Sequence, residues 1–291
     1  MAKQIGIIGV GLMGLGIASN VQSAGWALHF LDHPGNQPTA DLVSGGAISH
    51  DTAQELTRAC DTIILCVTGA PQVTNVMTSD SGVLAGMSAG KTVVDCSTSL
   101  PKTTETIAQL VRETGGRYID APMTRTPKEA AEGRLNLIVG GAAEDLAAQR
   151  PLLESFAENI AHAGDVGAGH AMKLLHNFVS LGFAAVLAEA AAVARKSGVE
   201  GAVFQDILAK GGGAGVVLDR MSPFITGDDC GGFRFTLSNS DKDIGYYREM
   251  AAQAGGAHGL ADAVGTVFGD MVADGQGDKF MPELIALLQN K

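Results

Sequence analysis

Gln4-Ile-Gly-Ile-Ile-Gly-Val-Gly-Leu-Met-Gly-Leu-Gly-Ile-Ala-Ser-Asn-Val-Gln-Ser23 is the stretch on which the fold turns. The run Ile5 to Ile8 has the length and β-branching of a buried strand. It leads into Gly9, Gly11 and Gly14, spaced G-x-G-x-x-G, after which Leu12, Leu15, Ile17 and Val21 suit a helix. A strand, a glycine turn and a helix N-terminus make an anion site, because free backbone N–H groups and the helix dipole both face the phosphate. Gly9 allows the turn, Gly11 lets backbone approach a pyrophosphate, and Gly14 lets helix pack on strand. A second apolar stretch, Ala27 to Leu31, ends in Asp32, about 20 residues on, where a carboxylate binds the ribose diol of NAD. An ordinary strand-helix-strand with Asp32 capping a turn fits the same spacing in so glycine-rich a chain.

Composition narrows the classes. The length predicts about two domains. Acidic side chains outnumber basic ones, 31 to 20, which argues against a general nucleic-acid or membrane-surface binder. Any anion must therefore be held by a local site. Cys60, Cys66, Cys96 and Cys230 form no C-x-x-C pair, and Cys66 and Cys96 fall in or beside buried strands. Reduced thiols fit a cytoplasmic protein. The short apolar start is used by the nucleotide fold and does not read as a signal peptide. Phe178 to Ala194 is apolar enough to raise a membrane span, but Glu189 interrupts it and it is somewhat short. A helix buried between domains or subunits is the expectation.

After Asp32, the Pro- and Gly-containing segment 33–39 reads as a loop. NADP would call for a basic residue there; His33 is the only candidate and Asp32 repels a 2′-phosphate, so NAD is expected. Asp51 to Ala59 reads as a helix capped by Asp51, and Thr62 to Val67 as a buried strand. Thr68 to Pro71 follows at its carboxyl end, where open α/β sheets bind ligands. Val73 to Met77 starts a helix, and Thr92 to Asp95 is a strand leading to Ser97, Thr98 and Ser99. These hydroxyls suit a nicotinamide ribose, a substrate or a cap on the helix 103–112. Strands are expected at Arg117 to Asp120, Leu135 to Val139 and Ile160 to Ala163, with a helix at Glu144 to Phe156. This alternation predicts a mainly parallel, doubly wound α/β sheet through residue 163. From Gly164 to the end, strand signal vanishes and an all-helical domain, 164–291, is expected. A long linking helix of about 171–197 precedes helices at 202–208, 217–221, 244–254, 260–274 and 282–288, with Gly211 to Gly215 breaking the series.

Lys173 and Asn177 lie four apart at the start of the long helix, on one face, among Met172, Leu174, Leu175 and Phe178. A desolvated lysine there has its pKa lowered towards neutrality and exchanges a proton with a carbonyl oxygen or alcohol. A snorkelling surface lysine fits the spacing equally well. His170 and His176 fall on different faces, so no metal site is expected.

The ordered set Gly9-x-Gly11-x-Met13-Gly14, Asp95-x-Ser97-Thr98-x-x-Pro101, Asp120-Ala-Pro122, Gly140-Gly141, Gly167-x-Gly169-x-x-x-Lys173-x-x-x-Asn177 and Lys242-Asp243 resembles the β-hydroxyacid dehydrogenase family nearly end to end. The family includes 3-hydroxyisobutyrate dehydrogenase and tartronate semialdehyde reductase. The resemblance implies a Rossmann domain joined by a long helix to a helical domain, and a homodimer or homotetramer. It implies Lys173 as catalytic acid/base and Asn177 as its substrate-binding partner. It also implies cofactor contacts at the glycine turn (Gly9, Gly11, Leu12, Met13, Gly14), at Val67, Thr68 and Thr98, and at Lys242. Read without it, 241–243 is equally a surface ion cluster.

One departure stands out. Where the family usually carries Ser-Gly-Gly on the substrate carboxylate, this chain has Thr124-Arg125-Thr126, similar to the sulfolactaldehyde reductase branch. Thr124 replaces a hydroxyl. Arg125 adds a planar fork suited to a carboxylate, sulfonate or phosphate. Ion pairing of Arg125 with Glu129 or Glu132 is the plainer alternative. Arg134 stands where the family tends to have threonine. The expected activity is NAD-dependent hydride transfer to or from a short 3-hydroxy acid or its semialdehyde, with Ser97, Thr124, Arg125 and Asn177 on the substrate. The alternatives are a decarboxylating sugar-acid dehydrogenase, an imine reductase, whose lysine is usually replaced, or a non-catalytic cofactor-binding module.

Overall fold

The structure, a computed structural model, describes residues 3–290. Nine strands form one sheet: β1 (Gln4–Ile8), β2 (Ala27–Leu31), β3 (Ile48–His50), β4 (Thr62–Leu65), β5 (Thr92–Asp95), β6 (Arg117–Asp120), β7 (Met123–Thr124), β8 (Leu135–Gly140) and β9 (Ala157–Gly164). The helices between them are α1 (Leu12–Ser23), α2 (Ala40–Ser44), α3 (Ala53–Ala59), α4 (Ala70–Thr78), α5 (Val83–Gly86), α6 (Pro101–Glu113), α7 (Pro127–Ala131) and α8 (Ala143–Leu153). Strand order is β3-β2-β1-β4-β5-β6-β8-β7, with β9 also on β8. Pairing is parallel from β3 to β6, and antiparallel where β8 meets β6 and β7. The order reverses between β1 and β4, so the loops after these two strands part and leave a crevice at the carboxyl edge.

The sheet is buried on both faces, which explains its unbroken apolar runs. Ile5, Ile7, Ile64 and Val94 face a core with α1 and Phe156; Ile8, Ile63, Leu65 and Val93 face the other with Leu56, Ile107 and Val111. Each such buried side chain contributes about 1.5–3 kcal/mol against exposure.

The chain divides into two compact units, one ending at Lys173 and the next beginning at Leu174. The first thus runs past residue 163, where strand signal stops, because 167–170 are bonded to the end of β6, as described below. The second is helical: the remainder of α9 (Ala168–Lys196), then α10 (Gly201–Ala209), α11 (Val216–Gly227), α12 (Leu237–Gln253), α13 (Gly259–Ala273) and α14 (Leu284–Gln289). Its core is Leu181, Leu187, Leu218, Met221, Phe268 and Leu284 with neighbours. By length and composition α9 could cross a membrane; half of its most apolar window is buried. It is therefore buried along one side only, since Leu175, Val179, Val186 and Val193 are more than 40% exposed.

Several expectations need correction. The helix at 51–59 starts at Ala53 and its cap is Thr52, whose hydroxyl accepts from Glu55 N–H at 3.1 Å. Asp51 is displaced from the cap because β3, a short edge strand with little apolar signal, occupies the residues before it. The strand expected at 160–163 runs from Ala157 to Gly164, its pairing with β8 compensating for mostly exposed residues. The helix expected to start at Ile244 begins at Leu237, capped by Thr236. The helix at 217–221 continues through Pro223 to Gly227, where Asp228 takes a left-handed backbone and its carboxylate pairs with Arg195 at 2.8 Å.

Candidate active site

The glycine turn has the geometry a pyrophosphate needs. Gly9 has φ +97°, and a Cβ on Gly14 would sit 1.9 Å from the Gly9 carbonyl oxygen. A Cβ on Gly11 would meet nothing within 4 Å, so open space lies over that residue at the start of α1. The turn opens on a cleft of about 440 Å³ lined by Gly9, Gly11, Asp32, Asp51, Val67 and Thr68 among others. Asn36 also lines it and ties its walls together: Nδ2 donates to the Leu31 carbonyl at 2.9 Å and Oδ1 accepts from Val10 N–H at 3.3 Å. The fit to a dinucleotide is therefore good at the turn, the ribose carboxylate and the crevice together. Leu12 is exposed beside the turn, and Met13 packs against the core below it. Sequence spacing gives no hint of Asn36.

A fully buried polar platform lies at the carboxyl ends of β5 and β6, where Asp95 and Asp120 are register partners. Asp95 accepts from Ser97 N–H at 2.9 Å and from the Tyr118 hydroxyl at 2.8 Å. Burial first, and Asp95 second, push the Tyr118 phenol well up from its ordinary pKa. Ser97 is 3% exposed, and its Oγ accepts from Val67 N–H at 3.1 Å. Thus Ser97, expected on the substrate, stands in the structure as a brace for the loop after β4. The Ser99 hydroxyl is buried with no hydrogen-bond partner among the described residues, and Thr98 is half-buried. The Cys66 thiol is pushed up to about 12 by burial and by Asp95, which makes it inert as a nucleophile at neutral pH.

Asp120 caps α9 from a distant strand. Its two oxygens accept from Gly167 N–H and His170 N–H, each at 2.8 Å. Close approach is what the glycines provide: a Cβ on Gly169 would lie 2.7 Å from Asp120 Oδ2, and one on Gly140 2.6 Å from Oδ1. His170, fully buried, lies with Nε2 3.0 Å from the Ser97 carbonyl oxygen and Nδ1 2.7 Å from the Thr104 hydroxyl. From the sequence His170 is weighed only as a metal ligand; its partners, 66 and 73 residues away, give no local signal of this role.

One turn on stands Lys173, 9% exposed. That disposes of the exposed, snorkelling alternative. Asn177, 5% exposed, donates from Nδ2 to Asp243 Oδ2 at 2.6 Å, while His176 Nδ1 lies 3.1 Å from its Oδ1. Lys242 Nζ is 3.3 Å from Asp243 Oδ1 and 5.8 Å from the Tyr246 ring centroid. Asp243 is 2% exposed and holds Asn177 within the helical unit, so it is not a surface charge, whereas Asp241 and Lys242 are half-buried. Among the described residues no group of three His, Cys, Asp or Glu side chains could hold a metal ion.

Arg125 has φ +83°, a left-handed backbone that glycine prefers and arginine rarely adopts. Its Nη1 donates to the Glu158 carboxylate and to the Arg134 carbonyl oxygen. The partner is therefore neither Glu129 nor Glu132. Glu129 closes a capping box with Thr126 at α7, and Glu132 pairs with Arg134. Thr124, half-buried, accepts from Asn136 Nδ2 at 3.2 Å.

Comparison with known proteins gives the family. Residues 4–164 match the model described as the NAD binding domain of 6-phosphogluconate dehydrogenase. Residues 167–288 match NAD-binding of NADP-dependent 3-hydroxyisobutyrate dehydrogenase. An NAD-dependent L-serine dehydrogenase of Pseudomonas aeruginosa is 34% identical, over 87% of this chain and 86% of that protein. A 2-hydroxy-3-oxopropionate reductase of Escherichia coli is 37% identical over 68% of this chain and 67% of its own. A 3-hydroxyisobutyrate dehydrogenase of Mycobacterium tuberculosis, solved with L-serine, superposes with a TM-score of 0.88 at 25% identity, over 99% of this chain and 100% of that one. With both units matched, the chain belongs to the β-hydroxyacid dehydrogenase family, NAD-binding oxidoreductases that act on the CH–OH group of short hydroxy acids or their semialdehydes.

Proposed function

We propose that the protein interconverts a short 3-hydroxy acid and its semialdehyde, with Lys173 moving the proton and Arg125 holding a strongly anionic head. The burial of Lys173, one turn beyond a helix start fixed to the sheet's carboxyl edge, carries the reading. Bound NAD supplies the hydride chemistry at the nicotinamide. The protein's own residues orient the substrate: Thr124 offers a hydroxyl, and Asn177, held by Asp243, follows Lys173 by one turn. The family resemblance adds Lys242 and Thr98 as cofactor contacts. The reading prefers NAD to NADP because Asp32 and Asp51 both line the cleft and repel a 2′-phosphate.

The anionic head is argued from Arg125. Both its contacts use Nη1, and among the described residues Nε and Nη2 have no further partner. That edge of the fork suits two oxygens of a carboxylate, sulfonate or phosphate. The test is a panel of three- and four-carbon aldehydes with these heads, beside neutral ones of equal length, run with NADH and NADPH. Arg125→Gly suits the left-handed backbone, so it isolates the side chain. It is expected to raise KM for the best anionic aldehyde about 10- to 100-fold, the worth of a charged hydrogen bond. A KM within two-fold of wild type would remove Arg125 from the substrate site.

Homo-oligomerisation is the second part of the proposal. Leu175, Val179, Val186 and Val193 leave an apolar stripe along α9, and Leu260 on α13 is 77% exposed. A groove of about 310 Å³ beside it is lined by Phe178, Val179, Val186, Leu260 and Val264. Such patches mark association surfaces. Sedimentation at micromolar concentration is expected to give a dimer or tetramer that Val179→Asp/Val186→Asp converts to monomer; a monomeric wild type would end this idea. Four free thiols support a reducing compartment, the cytoplasm.

A further inference from the structure

We propose that His170 is a positioning residue. It locks the first turn of α9, and with it the Lys173 amine, to the loop that braces Val67 at the cofactor cleft. This rests on the role given to Lys173 above.

The argument is one of hydrogen-bond inventory. A carbonyl oxygen only accepts, so the 3.0 Å contact with Ser97 O requires a proton on His170 Nε2. In the neutral ring Nδ1 accepts, so the single hydrogen of the Thr104 hydroxyl, on α6, goes to it at 2.7 Å and not to the Leu100 carbonyl oxygen at 3.1 Å. The ring is thus pinned at both nitrogens, and its backbone N–H is pinned by Asp120. Ser97 passes the constraint on, since its Oγ receives Val67 N–H, and Val67 lines the cleft with Thr68. His170 and Lys173 lie three apart, so they are neighbours on one helix face. A local rotation of the first turn of α9 would swing the amine relative to that loop. Asp120 alone does not forbid this. It holds backbone N–H groups at the helix start, whereas His170 reaches from the helix side to two other elements.

The chemistry makes this matter. A proton donor must lie within hydrogen-bond reach of the reacting oxygen while the nicotinamide holds its own place. Misplacement by about 1 Å through a residue off the reacting atoms costs up to about 100-fold. His170 touches no reacting atom, so its effect must show in the chemical step, not in cofactor affinity.

The experiment compares His170→Ala, His170→Gln, His170→Asn and Thr104→Val, with Lys173→Ala as reference, in the full-length protein. A glutamine amide nitrogen falls near the position of Nε2 and can donate to Ser97 O; an asparagine nitrogen falls near Nδ1 and cannot. His170→Ala and His170→Asn are expected to lower kcat about 10- to 100-fold with NADH Kd within three-fold. His170→Gln should recover kcat to within about three-fold, and Thr104→Val, near-isosteric, should lose several-fold. The deuterium isotope effect on kcat from 4-deuterated NADH should rise in the impaired variants, because chemistry becomes slower than product release. Mere loss of folded enzyme lowers the active fraction and leaves that isotope effect unchanged. The proposal is overturned if kcat tracks thermal stability across the series with a constant isotope effect, or if Gln rescues no better than Asn. If Lys173→Ala itself turns over within a few-fold of wild type, the proton-transfer reading fails instead. If it collapses while the His170 and Thr104 variants match wild type, only the positioning role is lost.

Discussion

Lys173→Ala is expected to lower kcat by about 10²–10⁴, the usual worth of a positioned acid or base, while NADH Kd changes less than two-fold. The reasoning is energetic. Burying a lysine to 9% exposure costs desolvation that an apolar residue would not incur, and Met172, Leu174 and Leu175 beside it show that the position accepts apolar neighbours. A stability role would have been met better by leucine or methionine. The cleft that takes the dinucleotide is lined by the β1, β2 and β4 loops, not by this residue, so cofactor binding should survive. Stopped-flow NADH oxidation with the best aldehyde, beside a fluorescence titration of NADH, measures the two quantities separately. A variant that keeps kcat within a few-fold of wild type would show that water or another group carries the proton. Equal loss of both quantities would show a folding defect, and Lys173→Met, which keeps the volume, would then repeat the measurement.

The second large effect is a contrast between two glycines three residues apart. Gly14→Ala would place a methyl 1.9 Å from the Gly9 carbonyl oxygen, which is backbone and has no rotamer to yield. Helix α1 must then back away from the turn. The expected result is at least a 100-fold loss of NADH affinity together with about 1–3 kcal/mol of stability, the scale of overpacking. Gly11→Ala meets nothing within 4 Å. It should melt like wild type yet bind NADH far more weakly, because the methyl enters space the pyrophosphate needs. Calorimetric melting with and without NADH checks both. If Gly11→Ala binds normally, the phosphates lie elsewhere and the cleft has been misassigned.

Most of the fold was legible because its signals are local. Ile5 to Ile8, the glycine turn and Asp32 lie within one strand-helix-strand, and strand burial on both faces produces unbroken apolar runs. Elements that escaped carry little local signal: β3 is three residues at an exposed edge and β7 is two residues. β9 was legible only at 160–163, because it faces water along most of its length. The site divides in the same manner. Gly9, Gly11, Asp32 and Lys173 are visible from spacing or chemistry. Asp120, His170 and Asp243 act through partners that are remote in sequence, at separations of 47 to 73 residues. Arg125 was visible as an oddity of type. Its left-handed backbone just after β7, and its contact with Glu158 on β9 rather than with the nearer acids, appear only once β7, β8 and β9 are assembled.

The cap on α9 has a kinetic corollary. Most helices carry their own N-terminal acceptor, so their first turn can form early and alone. Here Gly167 has no side chain to offer, and the acceptor is a carboxylate 47 residues upstream. The turn that bears His170 is thus expected to frays freely in the nascent chain until β6 has entered the sheet. Amides at 167–170 should therefore gain protection from hydrogen exchange in step with Ile119 and Asp120, and later than the middle of the same helix.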